Sequence, residues 1–141
     1  MAGVVAVLLP WLFFDPERSR QRGRKLKSIV DEASEPERRL FCAACKHVIT
    51  HQDERIHVQG GHQHRFTNPH GITYEIGCFR HASGCSTIGE ATSEFTWFRG
   101  YAWRIAVCGN CQTHLGWHFQ STEDDFHGLI VDRLSSAGPT N

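Results

Sequence analysis

Four of the six cysteines in this 141-residue chain fall as two C-x-x-C pairs, Cys42-Ala-Ala-Cys45 and Cys108-Gly-Asn-Cys111. A two-residue gap lets both thiolates of a pair point at one ion while backbone N–H groups support the sulfurs. Two such knuckles complete the tetrahedral shell that zinc prefers. No position is left for water or substrate, so the expected cofactor is one structural Zn²⁺ held by Cys42, Cys45, Cys108 and Cys111. Closing the 62 residues between Cys45 and Cys108 costs on the order of 4 kcal/mol by the logarithmic rule. Structural zinc contributes on the order of 10 to 16 kcal/mol in small peptides, enough to offset that closure. Ordinary reduced thiols or two disulfides are the alternative. His47, His51, His62 and His64 are competing ligands, which read as surface or hydrogen-bonded residues beside a full set of four cysteines. Cys78 and Cys85 have no activating flanks and read as a core thiol and a loop thiol, with a disulfide between them as the alternative in an oxidising compartment.

A second constellation is aromatic: Phe95, Trp97, Phe98, Tyr101, Trp103, Trp117 and Phe119. Trp97 and Trp103 flank an Arg99-Gly100 turn, so a hairpin could bring both to one surface. Trp117 and Phe119 share one strand face just past the second knuckle. Three indoles could wall a small pocket. They could equally be core, although tryptophan is rarely buried completely.

The elements that position these residues read as β. From Leu40 onward, short apolar and aromatic runs are broken by Gly, Asn and Pro. The pattern predicts strands over Glu54 to Val58, His64 to Asn68, Thr73 to Phe79, Phe95 to Phe98, Ala102 to Cys108 and Leu115 to Phe119. Turns are expected at Gly60-Gly61, Asn68-Pro69-His70-Gly71, Arg99-Gly100 and Gly109-Asn110. Residues 1–39 read as a poorly ordered tail, apolar through Phe14 and then basic from Arg18 to Lys27. The apolar run is shorter than the ~20 residues a spanning helix needs and contains Pro10. It lacks the flanks of a signal peptide. Residues 135–141 read as a flexible end. The formal net charge is zero, with eight Lys/Arg against six Asp/Glu in residues 1–40 and seven against nine thereafter. A mildly acidic domain is a poor phosphate binder, so no nucleic-acid partner is expected, and a basic-tailed zinc ribbon is the disfavoured version of that idea. The paired knuckles point to a reducing compartment, so a cytoplasmic location is expected, with export or weak membrane anchoring through the apolar run as the alternatives.

Asn68-Pro-His-Gly71, Ser93-Glu-Phe-Thr-Trp-Phe-Arg-Gly-Tyr-Ala-Trp103, Cys108-Gly-Asn-Cys-Gln-Thr-His-Leu-Gly-Trp117 and Phe126-His-Gly-Leu129 together resemble the CULT domain, the thalidomide-binding domain of cereblon. The resemblance covers residues 40–134. It implies an all-β fold, the β-tent, in which two antiparallel sheets lean together and are pinned near the zinc. It also implies that Trp97, Trp103 and Trp117 cage a glutarimide ring or similar cyclic imide, with Phe119 as floor. The imide is then held by backbone groups of Phe95 and Trp97, with Asn68 alongside. Phe95 stands where the animal proteins have histidine. A large N-terminal domain and adaptor-binding helices are not expected here, so no ubiquitin-ligase adaptor is carried over. The chain looks like a stand-alone, bacterial-type member, for which uridine-like rings and cyclised peptide ends are candidate ligands.

A binding module and not an enzyme is the expectation. The enzymatic rival is a methionine sulfoxide reductase of the B type, which shares a tent-like fold and paired knuckles but needs a nucleophilic cysteine beyond the second knuckle. No cysteine follows Cys111 in this sequence. The other rival is an aromatic cage for methylated ammonium groups, for which Glu94 is the one acidic residue beside the tryptophans.

Overall fold

The computed structural model describes residues 38–139, which form nine strands and two short 3-10 turns. The strands are β1 (Arg39–Cys42), β2 (Val48–His51), β3 (Gln63–Thr67), β4 (Thr73–Phe79), β5 (Cys85–Thr92), β6 (Ala102–Cys108), β7 (His114–Gln120), β8 (Asp125–Ile130) and β9 (Leu134–Ser135). They build two antiparallel sheets, one ordered β2-β1-β9 and the other β3-β4-β8-β7-β6-β5. The all-β architecture of two antiparallel sheets is therefore the one expected. No helix among the described residues is long and apolar enough to cross a membrane.

Strands β4 and β6 run over the expected residues, and β3 and β7 differ from expectation by a residue or so at their ends. Their alternation is the reason. In β4, Tyr74, Ile76 and Cys78 turn to one face, and β-branched and aromatic residues fit a pleated, half-buried surface. The Asn68 to Gly71 turn closes β3 onto β4. The Asn68 side-chain oxygen accepts the N–H groups of His70 and Ile72, each at 2.9 Å, and Gly71 takes a left-handed φ of 87°.

Two expected strands are absent. Over Glu54 to Val58 the chain instead leaves a 3-10 turn, Gln52–Glu54, whose start is capped by the His51 ring accepting from the Asp53 N–H. Only isolated bridges follow, Arg55 to Phe79 and Val58 to Gly61. Phe95 to Phe98 is the connection between β5 and β6, not a strand. Phe95 adopts φ 57°, and turn bonds run from the Thr96 N–H to Ser93 O and from the Tyr101 N–H to Phe98 O. Conversely β1, β2, β5, β8 and β9 went unpredicted. Of the expected N-terminal tail, residues 1–37 lie outside the described residues, while Arg39 opens β1 opposite His51. Ser135, expected in the flexible end, pairs with Phe41 through β9.

The core has two parts. Leu40, Ile49, Phe79, Leu115 and Leu129 fill the space between the sheets around Cys42 and Cys108. Ile76, Cys78, Phe98, Phe119, Phe126 and Ile130 form the second part. Cys78 belongs to this second part and Cys85 packs against the first, and both thiols are free.

Candidate functional site: a four-cysteine centre and an aromatic cavity

The first knuckle joins β1 to β2 in the small sheet and the second joins β6 to β7 in the large one, so the cysteines link the two sheets. The knuckles share one backbone design. In the first, the Cys42 N–H donates to His47 O at 2.8 Å and the Lys46 N–H to Cys42 O at 2.7 Å. In the second, the Cys108 N–H donates to Thr113 O at 2.8 Å and the Gln112 N–H to Cys108 O at 2.9 Å. Lys46 and Gln112 occupy equivalent places and both take left-handed φ, 68° and 66°. Gly84 is the contact between the halves: its N–H donates to Ile49 O at 3.0 Å and its carbonyl accepts from Gly109 N–H at 2.8 Å.

The four sulfurs all lie within 4.8 Å of one another and can hold a metal ion. Cys42 Sγ is 3.7 Å from Cys111 Sγ, and Cys45 Sγ is 3.6 Å from Cys108 Sγ. Donors surround them. Asn110 Nδ2 donates to Cys45 Sγ at 3.3 Å, and the N–H groups of Asn110 and Cys111 point to Cys108 Sγ at 3.4 and 3.5 Å. The Thr113 hydroxyl and N–H pull the Cys111 thiol down to about 6, and the Asn110 amide lowers Cys45. Burial pushes Cys42 up to about 11, so that sulfur gives up its proton readily only to a cation. None of the four competing histidines belongs to the cluster. His62 Nδ1 bonds Ile56 O and His64 Nε2 bonds Gly61 O, each at 3.0 Å.

The second feature is a cavity of about 510 Å³ on the large sheet. Asn68, Phe95, Trp97, Trp103, Trp117 and Phe119, separately expected as site residues, all line it. Cross-strand register explains half of this. Trp103 lies opposite Phe119 and Ile105 opposite Trp117, so β6 and β7 present four apolar side chains on one face. Trp97 arrives from the β5–β6 connection and not from a strand. Phe98 anchors that connection, fully buried and edge-on to Phe119 at 4.8 Å and Phe126 at 5.0 Å. Trp97 then stacks on Phe66 at 5.0 Å and meets Trp117 edge-to-face at 4.7 Å and 73°. Trp103 Nε1 donates to Glu94 O at 2.8 Å and fixes the connection to β6.

Sequence reasoning missed Phe66, Tyr74, Ile105 and His114. Tyr74 meets Trp117 at 5.2 Å and His114 meets it at 4.9 Å. Alternation with buried Ile76 and Cys78 was the available signal for Tyr74. For His114 there was none.

The polar groups at the cavity are few. With its oxygen committed to the turn, Asn68 has only N–H donors left to offer. Among the described residues the main-chain N–H and C=O groups of Phe95 and Trp97 have no partner. No carboxylate lines the cavity. Phe95, 72% exposed, stands at its rim.

No family model matches the chain. Among curated proteins it is similar to cereblon of Danio rerio, 35% identical over 102 residues that make up 67% of this chain and 24% of that protein. It is similar to cereblon of Gallus gallus at 35% over 102 residues, 67% of this chain and 23% of the relative. Cereblon of Drosophila virilis is 31% identical over 128 residues, 80% of this chain and 20% of the relative. The chain thus spans between 20% and 24% of the length of these relatives.

Proposed function

Because the chain carries a cereblon-like (CULT) domain, we propose that residues 40–134 are a non-catalytic module that binds a flat cyclic imide or nucleoside-like ring between Trp97, Trp103 and Trp117. Phe119 is the floor in this reading, Asn68 stands at the side, and a cyclised peptide end is a further candidate ligand. One observation carries it: unpaired main-chain donors and acceptors at Phe95 and Trp97 beside an aromatic cavity of about 510 Å³. A flat neutral ring buries its faces on the indoles, and its N–H and C=O groups need partners in a dry site. The loop backbone offers both. A ring of that kind is small enough for the space, since such pockets run from ~300 to 1,000 Å³ for drug-sized ligands.

The metal in this reading is zinc. Zn–S bonds of ~2.3 Å in a tetrahedron put sulfurs ~3.8 Å apart, close to the separations of the two nearest pairs. Bound there, zinc supplies a structural cross-link. Cys42, Cys45, Cys108 and Cys111 would hold it, and the fixed second knuckle delivers β7, hence Trp117 and Phe119, to the cavity.

A methylated-ammonium ligand is disfavoured because no carboxylate lines the cavity to balance the charge. Thiol catalysis is disfavoured because burial pushes Cys78 and Cys85 up to about 12, far from a nucleophilic thiolate. The cytoplasm is the compartment this reading implies, since free thiols persist there. Tryptophan fluorescence of the zinc-loaded chain, titrated with glutarimide and with uridine, tests it. Quenching that saturates is expected, and Trp97→Ala should weaken binding by at least ~10-fold, the cost of one lost aromatic wall. Wild-type affinity in that variant, or no response to either probe, would refute the reading.

A further inference from the structure

Arg133 does not line the cavity but touches two residues that do, His114 and Tyr74. Arg133 closes the 3-10 turn Val131–Arg133 that follows β8. Its carbonyl accepts the N–H of Ala43 at 3.0 Å, inside the first knuckle. Its Nη1 donates to His114 O at 2.8 Å and lies 3.5 Å from His114 Nδ1. The same guanidinium sits over the Tyr74 ring at 5.8 Å. His114 and Tyr74, which themselves line the cavity, both meet Trp117 edge-on, at 90° and 74°. We infer that Arg133 is the positioning residue of the aromatic cavity, holding His114 and Tyr74 against Trp117 and tying that wall to the first cysteine knuckle.

The hydrogen bonds are mutually consistent. His114 Nε2 is 3.0 Å from Gly116 O, and a carbonyl only accepts, so Nε2 carries the proton and Nδ1 turns its lone pair to Arg133. The groups facing His114 are Arg133 from the turn after β8, Tyr74 from β4, and Trp117 with the Gly116 carbonyl from its own strand. A second ring proton would meet the guanidinium. Burial first, then this charge, keeps His114 below the ordinary histidine range. Arg133 therefore holds the ring in place and favours the same tautomer that the Gly116 carbonyl selects.

For its ligand arm this role rests on the cavity being the binding site, so two readouts are paired. Wild type, Arg133→Met and Arg133→Lys, each as the zinc-loaded full chain, are titrated with glutarimide by tryptophan fluorescence. In the same proteins without glutarimide, the His114 ring is followed by NMR from pH 7.5 to 4.5. Methionine keeps the volume and leaves the main-chain bond to Ala43 in place. Arg133→Met should bind glutarimide about tenfold more weakly, the loss of one charge-assisted hydrogen bond, and its His114 should titrate at higher pH than in wild type. Arg133→Lys should fall between, because an ammonium can reach the His114 carbonyl or lie over Tyr74 but cannot span both. It also carries the test if the methionine variant does not fold. Unchanged glutarimide affinity, or an unchanged His114 midpoint, overturns the inference. If wild type does not respond to glutarimide, the binding proposal fails, and the His114 midpoint alone decides the role of Arg133.

Discussion

Gly116, the residue before Trp117, lies opposite Leu129 where β7 meets β8. A methyl group there would meet Gly128 O at 2.1 Å and Leu129 Cα at 2.9 Å, main-chain atoms that no rotamer can clear. Carbon and oxygen in contact need ~3.3 Å, so the shortfall is about 1.2 Å. Taking it up by separating the strands stretches ladder bonds from ~2.9 to ~4.1 Å, beyond hydrogen-bonding range. Two such bonds lost in a buried ladder, at ~1–3 kcal/mol each, put the cost of Gly116→Ala at roughly 2 to 6 kcal/mol. At ~4–8 °C per kcal/mol for a domain of about 100 residues, the melting temperature should fall by at least ~8 °C. Gly61→Ala is the matched control, since its new methyl would meet only Gln63 O at an ordinary 3.7 Å. It should stay within ~1 kcal/mol of wild type. Thermal unfolding followed by circular dichroism, with both variants zinc-loaded, measures the difference. A Gly116→Ala protein melting within about 5 °C of wild type would show that β7 and β8 are not packed as tightly as the strand register requires.

Three further outcomes are expected. Burial, then His118, lowers His127 to about 4 in the fold, below its unfolded value of ~6.5, so its contribution is complete above pH 6.5 and fades as pH falls toward 4. Urea unfolding from pH 7 to 4.5 should show wild type losing up to ~1.4 kcal/mol per pH unit more than His127→Phe, and parallel curves would contradict this. If the four cysteines hold zinc as proposed, a chelator should abolish the near-ultraviolet signal of the tryptophans by removing the cross-link between the sheets; an unchanged signal would mean that hydrophobic contacts alone hold the cavity. Cys78 and Cys85, pushed up to about 12 by burial, should be alkylated by iodoacetamide only as fast as the domain unfolds, which peptide mass mapping with increasing urea would establish.

Read from the chain alone, the four cysteines were recoverable because a C-x-x-C gap is a local property: two thiolates that close converge on one ion wherever the knuckle is placed. Strands β4 and β6 were recoverable for a similar reason, since alternation with a period of two is written along the covalent chain, and the Asn68 and Gly100 turns followed from side-chain and φ chemistry. Trp97 shows the boundary. Its membership of an aromatic set was visible, but its route to the cavity was not, because the connection is held by Phe98 packing on Phe119 and Phe126 from distant strands. Strand β5, with Gly89 at φ 79° and mostly exposed residues, carries no alternation and exists because β6 pairs with it. His114, Tyr74 and Arg133 come from β7, β4 and the turn after β8, and meet only in the folded chain. Metal-ligand types and strand periodicity were thus set by the sequence itself, while the cavity wall depended on non-local pairing and close approach, which no window of the chain contains.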